Sequence, residues 1–146
     1  MSTVTTDATQ NNILIANYDN SKTFIWNNRF QTESYNNDTY ADITIAEGTV
    51  MGRVTATGVI KPLESTASDG SQQPVGILNR DYTVVDGDVV SVDICVAGDV
   101  AEEKLVFENG TDTVNTIVGT QRIKDHLLYL GIILKTANEN TIADNQ

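Results

Sequence analysis

Cysteine occurs once in the 146 residues, at Cys95, so no internal disulfide can brace the fold. Histidine also occurs once, at His126, and one His with one Cys cannot compose a zinc site. Basic residues are scarce: 9 Lys and Arg stand against 20 Asp and Glu, for a formal charge of -11. A surface of that sign repels the phosphates of nucleic acid and the headgroups of anionic lipid. It also keeps copies of the chain apart unless specific contacts hold them together. No apolar run reaches the length of a membrane span. The start, MSTVTTDATQ, has neither the basic nor the apolar segment of a secretory signal, so synthesis in a cytoplasm is expected.

The motifs of catalysis and ligand binding are missing too. There is no G-x-S-x-G nucleophile context, no G-x-x-x-x-G-K-[ST] phosphate loop and no dinucleotide fingerprint. Asp81, Asp86, Asp88 and Asp93 cluster along the chain, but Asp86-Gly87-Asp88 lacks EF-hand spacing and reads as a solvated turn. Cys95 lies in VVSVDICVAG with no His, Lys or Arg beside it, which predicts a buried, unreactive thiol. His126 falls off the apolar stripe of its segment and reads as structural. Asn37-Asp38-Thr39 and Asn109-Gly110-Thr111 match a glycosylation pattern, but without a secretion signal the second is better explained as a turn. The expectation is no catalytic residue, no metal or other cofactor, and no small-molecule substrate. The nine aromatics are scattered; Trp26 with Tyr18 and Tyr40 could stack on a sugar, although an anchor against a partner or a core role is the stronger reading.

What is present is short, β-prone segments punctuated by turns. Residues 1–39 are rich in Asn, Thr, Ser, Asp and Gln, with two apolar islands, Ile13-Leu14-Ile15-Ala16 and Phe24-Ile25-Trp26. They read as an extended, partner-docking arm with Ile13, Leu14, Ile15, Phe24, Ile25 and Trp26 as its anchors; the competing reading is two ordinary strands of the domain. A β-rich domain spans 40–136. Its strands are expected at 40–45, 50–54, 58–62, 74–78, 89–97 and 100–107, with Asp69-Gly70, Asp86-Gly87 and Asn109-Gly110 turning the chain. In 89–97, Val90, Val92, Ile94 and Val96 share one face, and Ser91, Asp93, Cys95 and Ala97 the other. Segment 119–130 is helical: Ile123, Leu127 and Leu130 follow one face, Thr120 caps the start and Gly131 stops it. Ile132-Ile133-Leu134 returns as a closing strand, and 137–146 is a polar, frayed tail.

The order of these features carries a resemblance. Gly48-Thr49-Val50-Met51-Gly52 leads into Gly58-Val59-Ile60-Lys61-Pro62. Pro74-Val75-Gly76-Ile77-Leu78 follows a polar loop, then Ala97-Gly98-Asp99-Val100, then a terminal Gly131-Ile132-Ile133-Leu134. Over residues 40 to 136 this is similar to the head decoration proteins of tailed bacteriophages, the family of the phage lambda capsid-stabilising protein. The resemblance implies a mainly β domain, a small β-barrel or β-tulip-like decoration domain with one short C-terminal helix and an extended N-terminal arm. It implies a virion protein on the exterior of the capsid that forms homotrimers, clamps neighbouring copies of the major capsid protein and stabilises the shell. The arm would add a strand to that partner. Gly48, Gly52, Gly58, Pro62, Pro74, Val75, Gly76, Ile77, Leu78, Gly98 and Gly131 would then be scaffold positions. The alternative is a head-fibre or tail-associated β module that binds a host glycan or another virion protein.

Overall fold

A computed structural model describes residues 22–136. Along the chain run β1 (Phe24–Asn36), β2 (Ile43–Ile45), β3 (Val50–Arg53), β4 (Ile60–Pro62), β5 (Pro74–Leu78), β6 (Tyr82–Val84) and β7 (Val89–Ala101). A 3-10 turn (Glu102–Lys104), β8 (Ile117–Val118), β9 (Gln121–Arg122), helix α1 (Ile123–Leu130) and β10 (Ile132–Lys135) follow. The main sheet has the order β1-β4-β3-β5-β7-β10, and β1 also pairs with β7. That second pairing closes β1, β4, β3, β5 and β7 into a five-stranded barrel. Along one edge, β7 meets β5 at Ile94 and Cys95, then β10 from Gly98 to Ala101, so β10 lies outside the ring. The fold is mainly β with one short helix, as the sequence implies.

The barrel strands divide the apolar residues between two cores. Tyr35, Ile60, Met51, Leu78, Val92 and Ile94, drawn from all five barrel strands, form one buried cluster with Ile45 and Val84 of the β2–β6 pair. Val50, Ile77 and Cys95 belong to a second cluster, with Ile123 and Leu127 of α1 and Ile132 of β10. Adjacent residues on β3, β5 and β7 thus face opposite cores: Val50 and Met51, Ile77 and Leu78, Cys95 and Ile94. A strand buried on both faces reads as a continuous apolar run rather than an alternation. This explains Pro74-Val75-Gly76-Ile77-Leu78. Within it, a Cβ on Gly76 would lie 2.8 Å from the Cys95 carbonyl oxygen, so glycine lets β5 and β7 close up.

The alternation in β7 changes phase at Gly98. Ile94 faces the barrel and Cys95 the helix, yet Val100 again packs on the helix side. The register with β1 is irregular between Trp26 and Arg29, opposite this point. Gly98 has φ of 112°, and a Cβ there would meet the Asn27 carbonyl oxygen at 2.6 Å. A β-bulge that only glycine fits turns the strand over.

Four expectations change, the first being the separate strand at 100–107: β7 runs on to Ala101 and a 3-10 turn follows at Glu102–Lys104. Phe24 to Asn36, assigned to the arm, is β1 and completes the barrel, pairing with β7 from Phe24↔Val100 to Asn36↔Val89. Its side chains are mostly exposed and polar because one face looks into solvent, and composition alone reads that as an arm. The boundary expected at residue 39 therefore moves to the start of β1. Tyr40 lies outside any strand, with φ of 67°, and only Ile43–Ile45 pairs. The helix begins at Ile123, not Thr120, because Gln121 and Arg122 pair with Ile117 and Val118 in a small hairpin. Its stop is as expected: Gly131 is left-handed and its N–H bonds the Leu127 and Leu128 carbonyls. Ile13, Leu14, Ile15 and the tail from 137 lie outside the described residues.

Candidate assembly surfaces

The side chains with chemical potential are taken up by structure. Cys95 is fully buried, its thiol donates to the Ala97 carbonyl at 3.1 Å, and burial pushes its pKa up. A thiol held protonated is a poor nucleophile. His126 places Nε2 3.1 Å from the Val118 carbonyl, which ties α1 to β8. Among the described residues no group of three or more His, Cys, Asp or Glu is placed to hold a metal ion.

Two polar groups are buried as hubs. Asn37 is fully buried; its Nδ2 donates to the Ala41 and Val84 carbonyls at 2.8 and 2.9 Å. Its Oδ1 accepts from the Thr39 N–H and hydroxyl. One amide thus fastens the end of β1 to the 38–41 loop and to β6, and the nitrogen a glycan would need is enclosed. Asp112 accepts from the Ser65 N–H at 2.9 Å, the Ser65 hydroxyl at 2.6 Å and Asn109 Nδ2 at 2.8 Å. Burial pushes its pKa up, but the Ser65 and Asn109 hydrogen bonds outweigh this and hold the carboxyl below its ordinary 3.8. A depressed folded pKa contributes stability that is present above the unfolded value and is lost as pH falls through the folded one. The stability advantage of the native chain over Asp112→Asn is therefore expected to be complete near about pH 6 and to shrink below about pH 4. Urea midpoints of both proteins across that range test this; a pH-independent difference would refute the assignment.

The chain's candidate functional surface is apolar and lies beyond the barrel. Trp26 of β1 and Ile133 of β10 flank Asp99 of β7 from opposite sides in register. Trp26 and Ile133 are thus registered to one and the same residue of β7, at a point where the β1–β7 register shifts on both sides of Trp26. Trp26 is 68% exposed and Ile133 44%. Phe24 and Leu134 of the same strands pack against the helix-side cluster. Leu128, Tyr129 and Leu130 are also exposed, in the last turn of α1, which runs through Gly131 directly into β10. A tryptophan left in water on a rigid strand is a recognisable anchor for a protein partner.

Of the anticipated anchors, Phe24 and Ile25 are half-buried and Trp26 is exposed. Phe24 stacks edge-on against Phe30, centroids 5.3 Å apart. The scaffold positions sit where segments touch. A Cβ on Gly48 would lie 2.3 Å from the Lys104 carbonyl, and one on Gly52 would lie 2.0 Å from the Ser71 carbonyl. Pro62 faces Met51 and Pro74 faces Gly52 on either side of β3. Val75 is half-buried against the barrel cluster, and Gly58 is in open space. Sequence reading missed Ile133, Leu128 and Tyr129 as surface residues, because strand and helix patterns mark which residues are apolar, not which apolar face lacks a neighbour.

A family model described as bacteriophage lambda head decoration protein D matches residues 29–127, more than half of the chain. The match begins inside β1 and ends inside α1, so it takes in the barrel and leaves Trp26 and Ile133 just outside. No curated protein matches the sequence.

Proposed function

The chain belongs to the family of the bacteriophage lambda head decoration protein D, a structural and capsid-associated family, and from that membership we propose that it binds the outer surface of a phage head as homotrimers and cements the shell without catalysis. The observation that supports trimer contact is the pair of exposed apolar side chains Trp26 and Ile133, registered on either side of the half-buried Asp99. An acidic chain of formal charge -11 repels its copies, so association needs an apolar contact of this kind. The segment before β1 leaves the domain beside the same pair, since Phe24 pairs with Val100 and Trp26 with Asp99. An arm comprising residues 1–21, with Ile13, Leu14 and Ile15 as an added strand, would reach the major capsid protein from there. Many such weak contacts around a closed shell sum to firm attachment.

The experiment compares the full chain with Trp26→Ser/Ile133→Ser and with a chain lacking residues 1–20. Native mass spectrometry reports the oligomer, and sedimentation with expanded shells reports attachment. The double substitution is expected to keep the fold, because both side chains are exposed, and to abolish trimers. The deletion is expected to keep the fold and weaken attachment. Undiminished trimers in the double variant and undiminished attachment in the deletion would remove the two supports of this reading. Occupancy of only a few sites per particle would favour a fibre or tail module, with Trp26 as its stacking surface.

A further inference from the structure

The barrel closes least completely between β1 and β4. β1 holds a long ladder with β7 on one edge, while its registered partner on the other is Ile60 alone, opposite Tyr35. At this seam lies a groove of about 500 Å³. That volume falls within the roughly 300–1,000 Å³ of ligand-binding sites. Its floor is apolar, built from Ile43, Ile45, Val59 and Ile60. Its rim is acidic: Asp38, Glu64, Asp69 and Glu108 line it with one cation, Lys61. Lys61 is already engaged with Asp69 at 3.2 Å. Asp38, Glu64 and Glu108 have no ion-pair partner among the described residues. The negative potential reaches the floor, where burial, then Asp38 and Glu108, raise the pKa of the Tyr35 hydroxyl.

We propose that this groove binds an extended segment of another polypeptide carrying two or more Lys or Arg side chains. Aliphatic stems would lie on the apolar floor while the cationic heads reach the three rim carboxylates. The chain's own ends do not have this chemistry. Residues 1–21 contain Asp7 and Asp19 with no Lys or Arg, and residues 137–146 contain Glu139 and Asp144 with none. Charge complementarity therefore assigns the groove to a different, basic chain. The inference rests on the groove and stands apart from the trimer reading.

The test titrates the full-length, isotopically labelled chain with the synthetic peptide acetyl-VKVRVKV-amide and with its acidic counterpart acetyl-VEVEVEV-amide, followed by NMR. The basic peptide is expected to move the amide signals of Tyr35, Ile43, Val59 and Glu108, and the acidic one to move none. The triple variant Asp38→Asn/Glu64→Gln/Glu108→Gln removes exposed charges, and its unaltered spectrum away from the groove certifies the fold. Its affinity for the basic peptide is expected to fall about tenfold, as loss of several exposed charge pairs implies. Raised salt should weaken native binding in the same direction. Equal affinity in the triple variant, shifts spread over the whole acidic surface, or equal binding of the acidic peptide would each overturn the proposal.

Discussion

Replacing Gly52 by alanine is expected to lower the stability of the domain by about 3 kcal/mol or more. The reason is steric and local. The added methyl would stand 2.0 Å from the Ser71 carbonyl oxygen and 2.6 Å from its carbon, both backbone atoms that no rotamer change can move aside. Ser71 is itself fully buried, and its N–H and hydroxyl are held by Asp69 at 3.0 and 2.6 Å. These bonds, hydroxyl first, hold the Asp69 carboxyl at about 2 with help from Lys61. The loop is therefore fastened down on Gly52, and relief requires shifting β3 or breaking the Asp69 contacts. Gly58→Ala is the control: nothing lies within 4 Å, so only the strain of φ 76° remains, about 1 kcal/mol. Urea unfolding separates the two. Gly52→Ala should lower the midpoint by roughly 1 M or more with little change in slope, and Gly58→Ala by much less. Equal midpoints would mean that the loop gives way freely.

The second large effect is at Asn37. Asn37→Ala strips hydrogen bonds from the Ala41 and Val84 carbonyls and from the Thr39 N–H at a fully buried position. Unsatisfied buried groups of this kind are expected to cost about 3 kcal/mol together. Asn37→Asp is the sharper variant because it keeps the shape. A carboxylate there would face two carbonyl oxygens, whereas the protonated acid could donate to one of them. Its folded pKa would rise above the unfolded value, so the variant should recover stability as pH falls through that raised value. The native chain, with a neutral amide, should show no matching gain. Thermal midpoints of the three proteins from neutral to mildly acidic pH decide the matter. An Asn37→Asp protein as stable as the native chain at neutral pH would sink the hub reading.

Much of the fold is legible in the sequence because glycine and proline mark where segments touch or turn. The left-handed Gly131 ends the helix where the letters place it, whereas Gly98, read as the end of a strand, is a bulge inside β7. The burial of Cys95 follows from its apolar neighbours. What escapes is anything set by a partner distant in sequence. β1 looks like an arm because half of it faces water and its ladder with β7 is invisible along the chain. The start of α1 is displaced by a hairpin of two short strands, where tertiary pairing outweighs the capping preference of Thr120. Of the candidate surface, Trp26 stood out by rarity, but Ile133 gains its meaning from Asp99 between them. The groove at the β1–β4 seam draws its rim from residues 38, 64, 69 and 108, which no local pattern connects.

The closure of the barrel by β1 on β7 also sets an order of events in the making of the protein. β1 is synthesised early, and the strand it needs follows only after β2 to β6. Pairings between such distant segments slow folding, because chain entropy must be lost before the contact forms. A nascent strand with a free edge is an aggregation hazard during that wait. Asn27, Arg29, Gln31, Thr32 and Ser34, exposed in the finished barrel, break up what would otherwise be an adhesive β segment. The polarity that makes β1 look like an arm thus also leaves it little adhesive surface before β7 has been made.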